Sequence, residues 1–339
     1  MPVEGGFDEY CRKYLEQWEK RATVRHLPRT RLSAEAARHE LYPASMQPLL
    51  AHAEVVALGP EARHRLLARA AAIFMLHVAI LEVDLITELC VGLANRGAGA
   101  AVPEAARQVA LTVGTDEVYH SYVAREFLGD LEAHTGVVPG PAGDSDMPIL
   151  GALAEVRQHA PPELTRGLAE VRQHAPPELA RAADTMVLCF AENFVTEELF
   201  GLSKEADPAG PFHVIMREHM MDEGRHQIYF QKLLRHVWDG LDEERRTALG
   251  ALVPRYLDSF LKSGSFEASQ ADLLGYVGFD GESAKRIARE AMAAAYGTER
   301  PAKSRIKFMR NALHLVEVSG ILGHPPTRRT LVESGWVEA

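Results

Sequence analysis

Apolar residues along this chain recur at helical spacing, and no stretch alternates apolar and polar positions as a half-buried strand would. Gly59-Pro60 marks a helix start, with Pro suited to the first turn, and a long helix is predicted over residues 61–93. Asn95, Gly97 and Gly99 end it, and Pro103 opens a second helix to about residue 134. Residues 136–148 are rich in Gly, Pro, Asp and Ser and read as a loop. A third helix is predicted over residues 177–203, and a fourth runs to about residue 238 after the break at Asp207-Pro-Ala-Gly-Pro211. These four form a predicted core bundle over residues 60–238. Peripheral helices are expected over residues 1–59, short and wrapping the outside, and over 239–319, where three or four should fit. Residues 320–339 read as a tail. The predicted fold class is all-α, in one domain.

Ala, Leu, Glu and Arg dominate, all good helix formers, and 339 residues suffice for a large core. The net charge of −10, without a basic stripe, argues against nucleic acid as a partner. Cys11, Cys90 and Cys189 are scattered and odd in number, so they suggest neither a disulfide framework nor a zinc site; a reducing cytoplasm is expected. The start of the chain, with Glu4, Asp8 and Glu9, lacks the pattern of a signal peptide. Residues 70–93 are the most apolar segment, but His77, Glu82, Asp84 and Glu88 within it argue for a protein core rather than a membrane. The stretch Leu153–Leu164 recurs without change as Leu168–Leu179, a period of 15. Two units this short make no solenoid, so the repeat reads as a tandem duplication in a connector, with His159 and His174 on its surface.

Four segments carry the chemistry. They are Glu82, the run Asp116-Glu117-Val118-Tyr119-His120, Glu192, and the run from His219 through Asp222-Glu223-Gly224-Arg225-His226. A di-metal helical bundle takes one Glu from each of two helices and a Glu-x-x-His pair from each of the other two. At about 100° per residue, Glu117 and His120 lie about 60° apart, and His219, Glu223 and His226 fall within a stripe of about 60°. Buried ionisable groups cost several kcal/mol unless paired or metal-bound, so such a set on apolar helices points to metal. Asp116 and Asp222, each preceding a Glu, are placed to orient a histidine of the facing helix. Glu82 is favoured over Glu88 because it lies deeper in its helix, and Glu192 over the doubled Glu197-Glu198, which suits a solvated face. Glu61-Ala-Arg-His64 has the same spacing but sits among basic residues and reads as solvated.

Asp222-Glu223-Gly224-Arg225-His226 resembles the Asp-Glu-x-Arg-His motif of the ferritin-like di-metal superfamily. With His219 added, the cluster resembles the para-aminobenzoate N-oxygenase family, the AurF-like di-iron N-oxygenases. The similarity spans residues 60–237. It implies a ferritin-like bundle holding two iron ions per chain through Glu82, Glu117, His120, Glu192, His219, Glu223 and His226, with Arg225 supporting them. It further implies O₂ as oxidant, an external electron donor, and oxidation of a primary amine through hydroxylamine and nitroso stages to nitro.

Residues 70–95 contain no Lys or Arg, and only His77 there could meet a substrate carboxylate. Arg310 is a more distant cation. The substrate is therefore expected to differ from para-aminobenzoate: a larger arylamine, or an amine on a carrier protein. Tyr119, Tyr122, Phe74, Phe190 and Phe194 are candidates for an aromatic pocket. A homodimer is expected, acting in antibiotic or other secondary-metabolite biosynthesis. Competing readings are N-hydroxylation of an alkylamine or amino acid, a ferroxidase or iron-storage role, and a radical-generating subunit using Tyr119 or Tyr122.

Overall fold

The structure is a computed structural model that describes residues 6–26, 30–138, 177–205, 210–259, 264–296 and 309–338. Helix α1 covers Phe7–Arg21. Helix α2, Gly59–Leu81, continues through a π-helical turn at Glu82–Thr87 into α3, Glu88–Arg96. The bundle is completed by α4 (Glu104–Thr135), α5 (Pro177–Glu205) and α6 (Pro211–Asp239). Around it lie α7 (Glu243–Gly250), α8 (Val253–Ser259), α9 (Gly264–Tyr276), α10 (Gly281–Tyr296), α11 (Met309–Val318) and α12 (Pro325–Glu333). No strand occurs among the described residues, so the class is all-α.

Local chemistry sets the boundaries. Pro60 and Pro211 occupy first turns, where a missing N–H costs nothing. Gly97 ends α3 at φ +81°, a conformation that strains any residue with a Cβ. The carboxylate of Asp242 accepts from the Arg245 backbone N–H at 2.9 Å and caps α7.

Four sequence expectations change. The long helix is not uniform: a π turn, one residue wider, begins at Glu82. Among the described residues, five helices rather than three or four occupy 243–318. The segment after Gly320 is no tail, because α12 packs there and Trp336 is fully buried. The N-terminal segment does not merely wrap the outside: α1 buries Cys11, Tyr14 and Trp18 against the bundle. Most of the tandem repeat lies outside the described residues; only its last three, Pro177–Leu179, are seen, opening α5.

Two apolar clusters fill the bundle along its axis. One joins Leu85, Leu89, Val109, Val113, Phe190 and Leu233; the other joins Met75, Val78, Ala124, Phe127, Phe212 and Ile215. Between them in sequence, α4 and α6 and the π turn after α2 bury ionisable residues. Gly59–Arg96 is long and apolar enough to cross a membrane, but 67% of its most apolar window is buried inside the protein. That apolar surface is accounted for by packing.

Candidate metal centre

The layer between the apolar clusters contains Glu82, Glu117, His120, Glu192, His219, Glu223 and His226, each no more than 5% exposed. They form two overlapping groups. Glu82, Glu117, His120, His219 and Glu223 offer ligand atoms within 4.8 Å of one another, and so do Glu117, Glu192, Glu223 and His226. Glu117 and Glu223 belong to both. Two sites joined by two shared carboxylates is the arrangement a bridged pair of metal ions requires.

The contacts show which atoms face inward. His226 Nδ1 lies 2.8 Å from Glu117 Oε1 and 3.4 Å from Glu223 Oε1. His120 Nδ1 lies 2.9 Å from Glu117 Oε2 and 3.6 Å from Glu223 Oε1. His219 Nε2 sits 3.4 Å from Glu82 Oε1 and 3.2 Å from Glu223 Oε1, its ring centroid 3.9 Å from that of His120. The far nitrogens of two of these rings face aspartates of the opposite helix. His226 Nε2 donates to Asp116 Oδ2 at 3.2 Å, and His120 Nε2 to Asp222 Oδ2 at 3.1 Å. With Nε2 protonated toward Asp, Nδ1, aimed into the cluster, is the nitrogen that would give up its proton to bind a metal.

Both aspartates are anchored in turn. The indole N–H of Trp18 donates to both oxygens of Asp116, at 2.9 and 3.0 Å. Asp222 accepts from the Thr23 hydroxyl and backbone N–H and from Arg225, whose guanidinium also lies 3.7 Å from Asp116. Trp18 and Thr23 escaped the sequence reading. The signal for Trp18 was present: Phe7, Tyr10, Cys11, Tyr14 and Trp18 form one helical stripe in an otherwise charged segment.

Electrostatics expose what this layer lacks. Burial pushes the Glu117 carboxyl well above the usual range, reinforced by Glu82 and Glu223; burial does the same for Glu192, with Glu223 and Glu117 adding to it. Burial also opposes ionisation of Glu223, but the His226 and His219 imidazoles overcome it and hold that group well below the usual range. Four crowded carboxylates are thus only partly compensated by protein charge. Glu117 Oε1 and His226 Nδ1, though close, have no hydrogen-bond partner of suitable geometry. Ligand atoms converging on a cation look like this, and two divalent ions would balance the four Glu charges. The residues fit a di-metal group.

Other predicted residues separate clearly. Glu88 is exposed, as is Glu61, and neither joins the cluster. The side chains of Glu197, Glu198, Phe194 and Arg310 lie outside the described residues, as do His159 and His174 altogether. Tyr119 lines a narrow cleft of about 20 Å³ beside His120 and His219, together with Met75, Val78 and Glu218. Of the remaining pocket candidates, Phe190 is core, stacked on Tyr256, and Tyr122 is 47% exposed. His77 does not line the cleft, and Phe74 packs edge-on against Phe212. Leu111, Val118, Met221 and Ile228, apolar neighbours of the ligand candidates in sequence, are about half exposed. They occupy the outer faces of their helices, so sequence adjacency misjudged the surroundings there.

An all-α bundle with two carboxylate-histidine groups sharing one buried layer defines the class as ferritin-like and di-metal. The chain belongs to the family of the p-aminobenzoate N-oxygenase AurF, whose model matches residues 8–308. That family consists of di-iron oxygenases, so the protein is an oxygenase with a buried cluster that could hold metal. The match also extends well beyond residues 60–237 and takes in α1 with Trp18. No curated protein matches the chain.

Proposed function

We propose that the protein is a non-haem di-iron N-oxygenase that uses O₂ to convert a primary arylamine, through hydroxylamine and nitroso stages, to a nitro product. The observation that carries this reading is the pair Glu117 and Glu223, shared between the two ligand groups, in a chain of the AurF family. Bound iron would supply O₂ activation and oxygen-atom transfer. The chain's own residues do the rest. Glu117 and Glu223 would be held in common by the two sites, with Glu82, His120 and His219 completing one and Glu192 and His226 the other. Asp116 and Asp222 keep the His226 and His120 protons on Nε2, and Arg225 offsets the charge of both aspartates.

The cleft beside His120 and His219 bears on the substrate. Its lining of Thr23, Met75, Val78, Tyr119, His120, Val123, Ile215, Glu218 and His219 includes no Lys or Arg. A buried substrate carboxylate would meet Glu218 instead of a cation, so an arylamine without a carboxylate is favoured over para-aminobenzoate. Burial raises the Glu218 carboxyl, and Thr30 donates to it at 3.1 Å, leaving it able to accept from an amine N–H. At about 20 Å³ the cleft has room for roughly one water, so Met75 and Tyr119 must move aside on entry. Electrons come from an external donor. The buried, unbridged Cys11, Cys90 and Cys189 suit a cytoplasmic setting, and a homodimer in secondary-metabolite biosynthesis remains our assignment.

The test is His219→Ala. Iron should remain near two per chain, held by six residues, while nitro product from a panel of uncharged arylamines is lost. Undiminished nitro product from the variant would sink the N-oxygenase reading. Para-aminobenzoate turning over better than aniline-type amines would sink the substrate class alone.

A further inference from the structure

A second concave site lies at the other end of the bundle. Arg96, Arg107, Arg181 and Arg245, one from each of α3, α4, α5 and α7, line a cleft of about 410 Å³ with residues 97–101 and Gly240. Arg107 lies ten residues before Glu117 on α4, and Arg96 fourteen after Glu82, so the cleft sits about 15–20 Å along the axis from the carboxylate layer. The cleft beside Tyr119 is displaced the opposite way, toward Met75, Val123 and Ile215. The arginines therefore do not serve the amine.

Three features make this cleft more than a surface patch. The chain has 47 acidic against 37 basic side chains, yet four arginines converge here, and among the described residues no carboxylate is ion-paired to Arg96 or Arg107. Asp242 approaches Arg245 at 3.6 Å but is engaged in capping α7, and Glu243 accepts from His324 at 3.0 Å. Second, the guanidiniums of Arg96 and Arg107 lie close over the backbone of α3. A Cβ on Gly92 would stand 2.6 Å from an Arg96 nitrogen, and one on Gly97 3.2 Å from an Arg107 nitrogen. Arg107 also donates to the Ala94 carbonyl at 3.0 Å, which fixes its plane.

Third, helix ends alone do not explain the arginines. Arg96 is in the last turn of α3, where a cation complements the helix dipole. Arg107 serves the same helix end through Ala94, but Arg245 stands in the first turn of α7, where a cation opposes the dipole. An anion in the cleft reverses that penalty, because guanidiniums and helix starts both attract it. The volume falls within the range of small-molecule sites.

We propose that this cleft binds one small phosphate-bearing anion per chain, of the class of inorganic pyrophosphate or a nucleoside diphosphate. Planar guanidiniums match phosphate oxygens two at a time, and Arg96, Arg107 and Arg245 lining one cleft suit a phosphate or diphosphate group.

Isothermal titration of the iron-loaded full chain with pyrophosphate, and separately with ADP, tests this at about 150 mM ionic strength, where exposed charges are screened beyond about 8 Å. One site per chain is expected. The double variant R96Q/R245Q should weaken binding by about tenfold or more, as loss of charge-assisted hydrogen bonds implies. R181Q should weaken it less, and the exposed control R38Q/R289Q, with the same charge change, by less than about twofold. Iron content should be unchanged in all of them, which keeps folding apart from binding. ADP binding tighter than pyrophosphate would identify the nucleotide form of the ligand, and equal binding the bare phosphate form. No binding of either probe at millimolar concentration, or equal weakening in R96Q/R245Q and R38Q/R289Q, would overturn the proposal.

Discussion

Two interiors of this protein are built on opposite principles. Around Trp336 the outer helices extend one of the bundle's apolar clusters into an ordinary core of Leu249, Val253, Leu257, Leu315 and Leu331, stable through area buried and close contact. Around Glu117 the bundle buries seven Glu and His side chains whose charges disagree with one another. The first interior stabilises the fold by itself. The second weakens it unless something cationic arrives, and it tolerates that because apolar clusters flank it along the helix from Gly59 to Arg96, α4 and α6. Frustration confined to one layer is what a functional site looks like when the rest of the molecule is consistent.

The largest effect should come from breaking the charged layer. Glu117→Gln imitates the protonated form that burial, Glu82 and Glu223 favour in the metal-free protein. With iron, the variant should lose at least one ion per chain and on the order of 5 kcal/mol of metal-linked stability. After chelation the difference should vanish or reverse, since one repelled carboxylate has gone. Glu223→Gln should behave otherwise: that carboxylate is held ionised by His226 and His219, so its loss should also lower the stability of the chelated protein. Denaturant titrations of both variants, with and without chelator, decide the matter. Equal behaviour of the two would contradict the division of charge described above.

The ordinary interior gives the next effect. Trp336→Ala removes a fully buried indole that also donates to Asp258 at 3.2 Å, and should cost about 3–5 kcal/mol. Iron per chain should stay the same. A fall in iron would mean that the two interiors are coupled more tightly than their packing suggests.

The same contrast explains what the sequence could reveal. Glu and His at helical spacing within apolar helices are improbable unless used, so Glu82, Glu117, His120, Glu192, His219, Glu223 and His226 stood out and the structure brings all seven together. The all-α class followed from periodicity. The π turn at Glu82 did not, because it leaves no composition signature. The segment after Gly320 has few apolar residues, and only the fold shows that Leu331 and Trp336 fill a gap beside α7 and α8. The four arginines of the distal cleft lie at positions 96, 107, 181 and 245, too far apart in sequence for any local pattern to join them.

A smaller effect tests the link between α1 and the charged layer. Trp18→Phe keeps the ring but removes the N–H that both oxygens of Asp116 accept. Asp116 retains His226 and Arg225, so a loss of about 1–3 kcal/mol is expected, with iron retained. If Trp18 were only a filler, Phe would be nearly neutral in a thermal melt. A loss of both irons would instead show that the indole fixes the position of Asp116 and, through it, His226.

The smallest effect lies outside both interiors and depends on pH. His77 on α2 is half-buried, and burial lowers its pKa from 6.5 to about 4. The unfolded chain therefore binds a proton between pH 6.5 and 4 that the folded chain refuses, and stability rises with pH across that window. Above about pH 6.5 His77 contributes no penalty; below about pH 4 the penalty is complete, at about 1–3 kcal/mol, toward the lower end because the ring is partly exposed. His77→Gln should match the parent near pH 7 and exceed it near pH 5, where about half or more of the penalty is present. Taking the difference between variant and parent at each pH cancels the titration of the metal layer, which both proteins share. A difference that stays constant from pH 7 to pH 5 would show that His77 is protonated as easily in the folded chain as in the unfolded one.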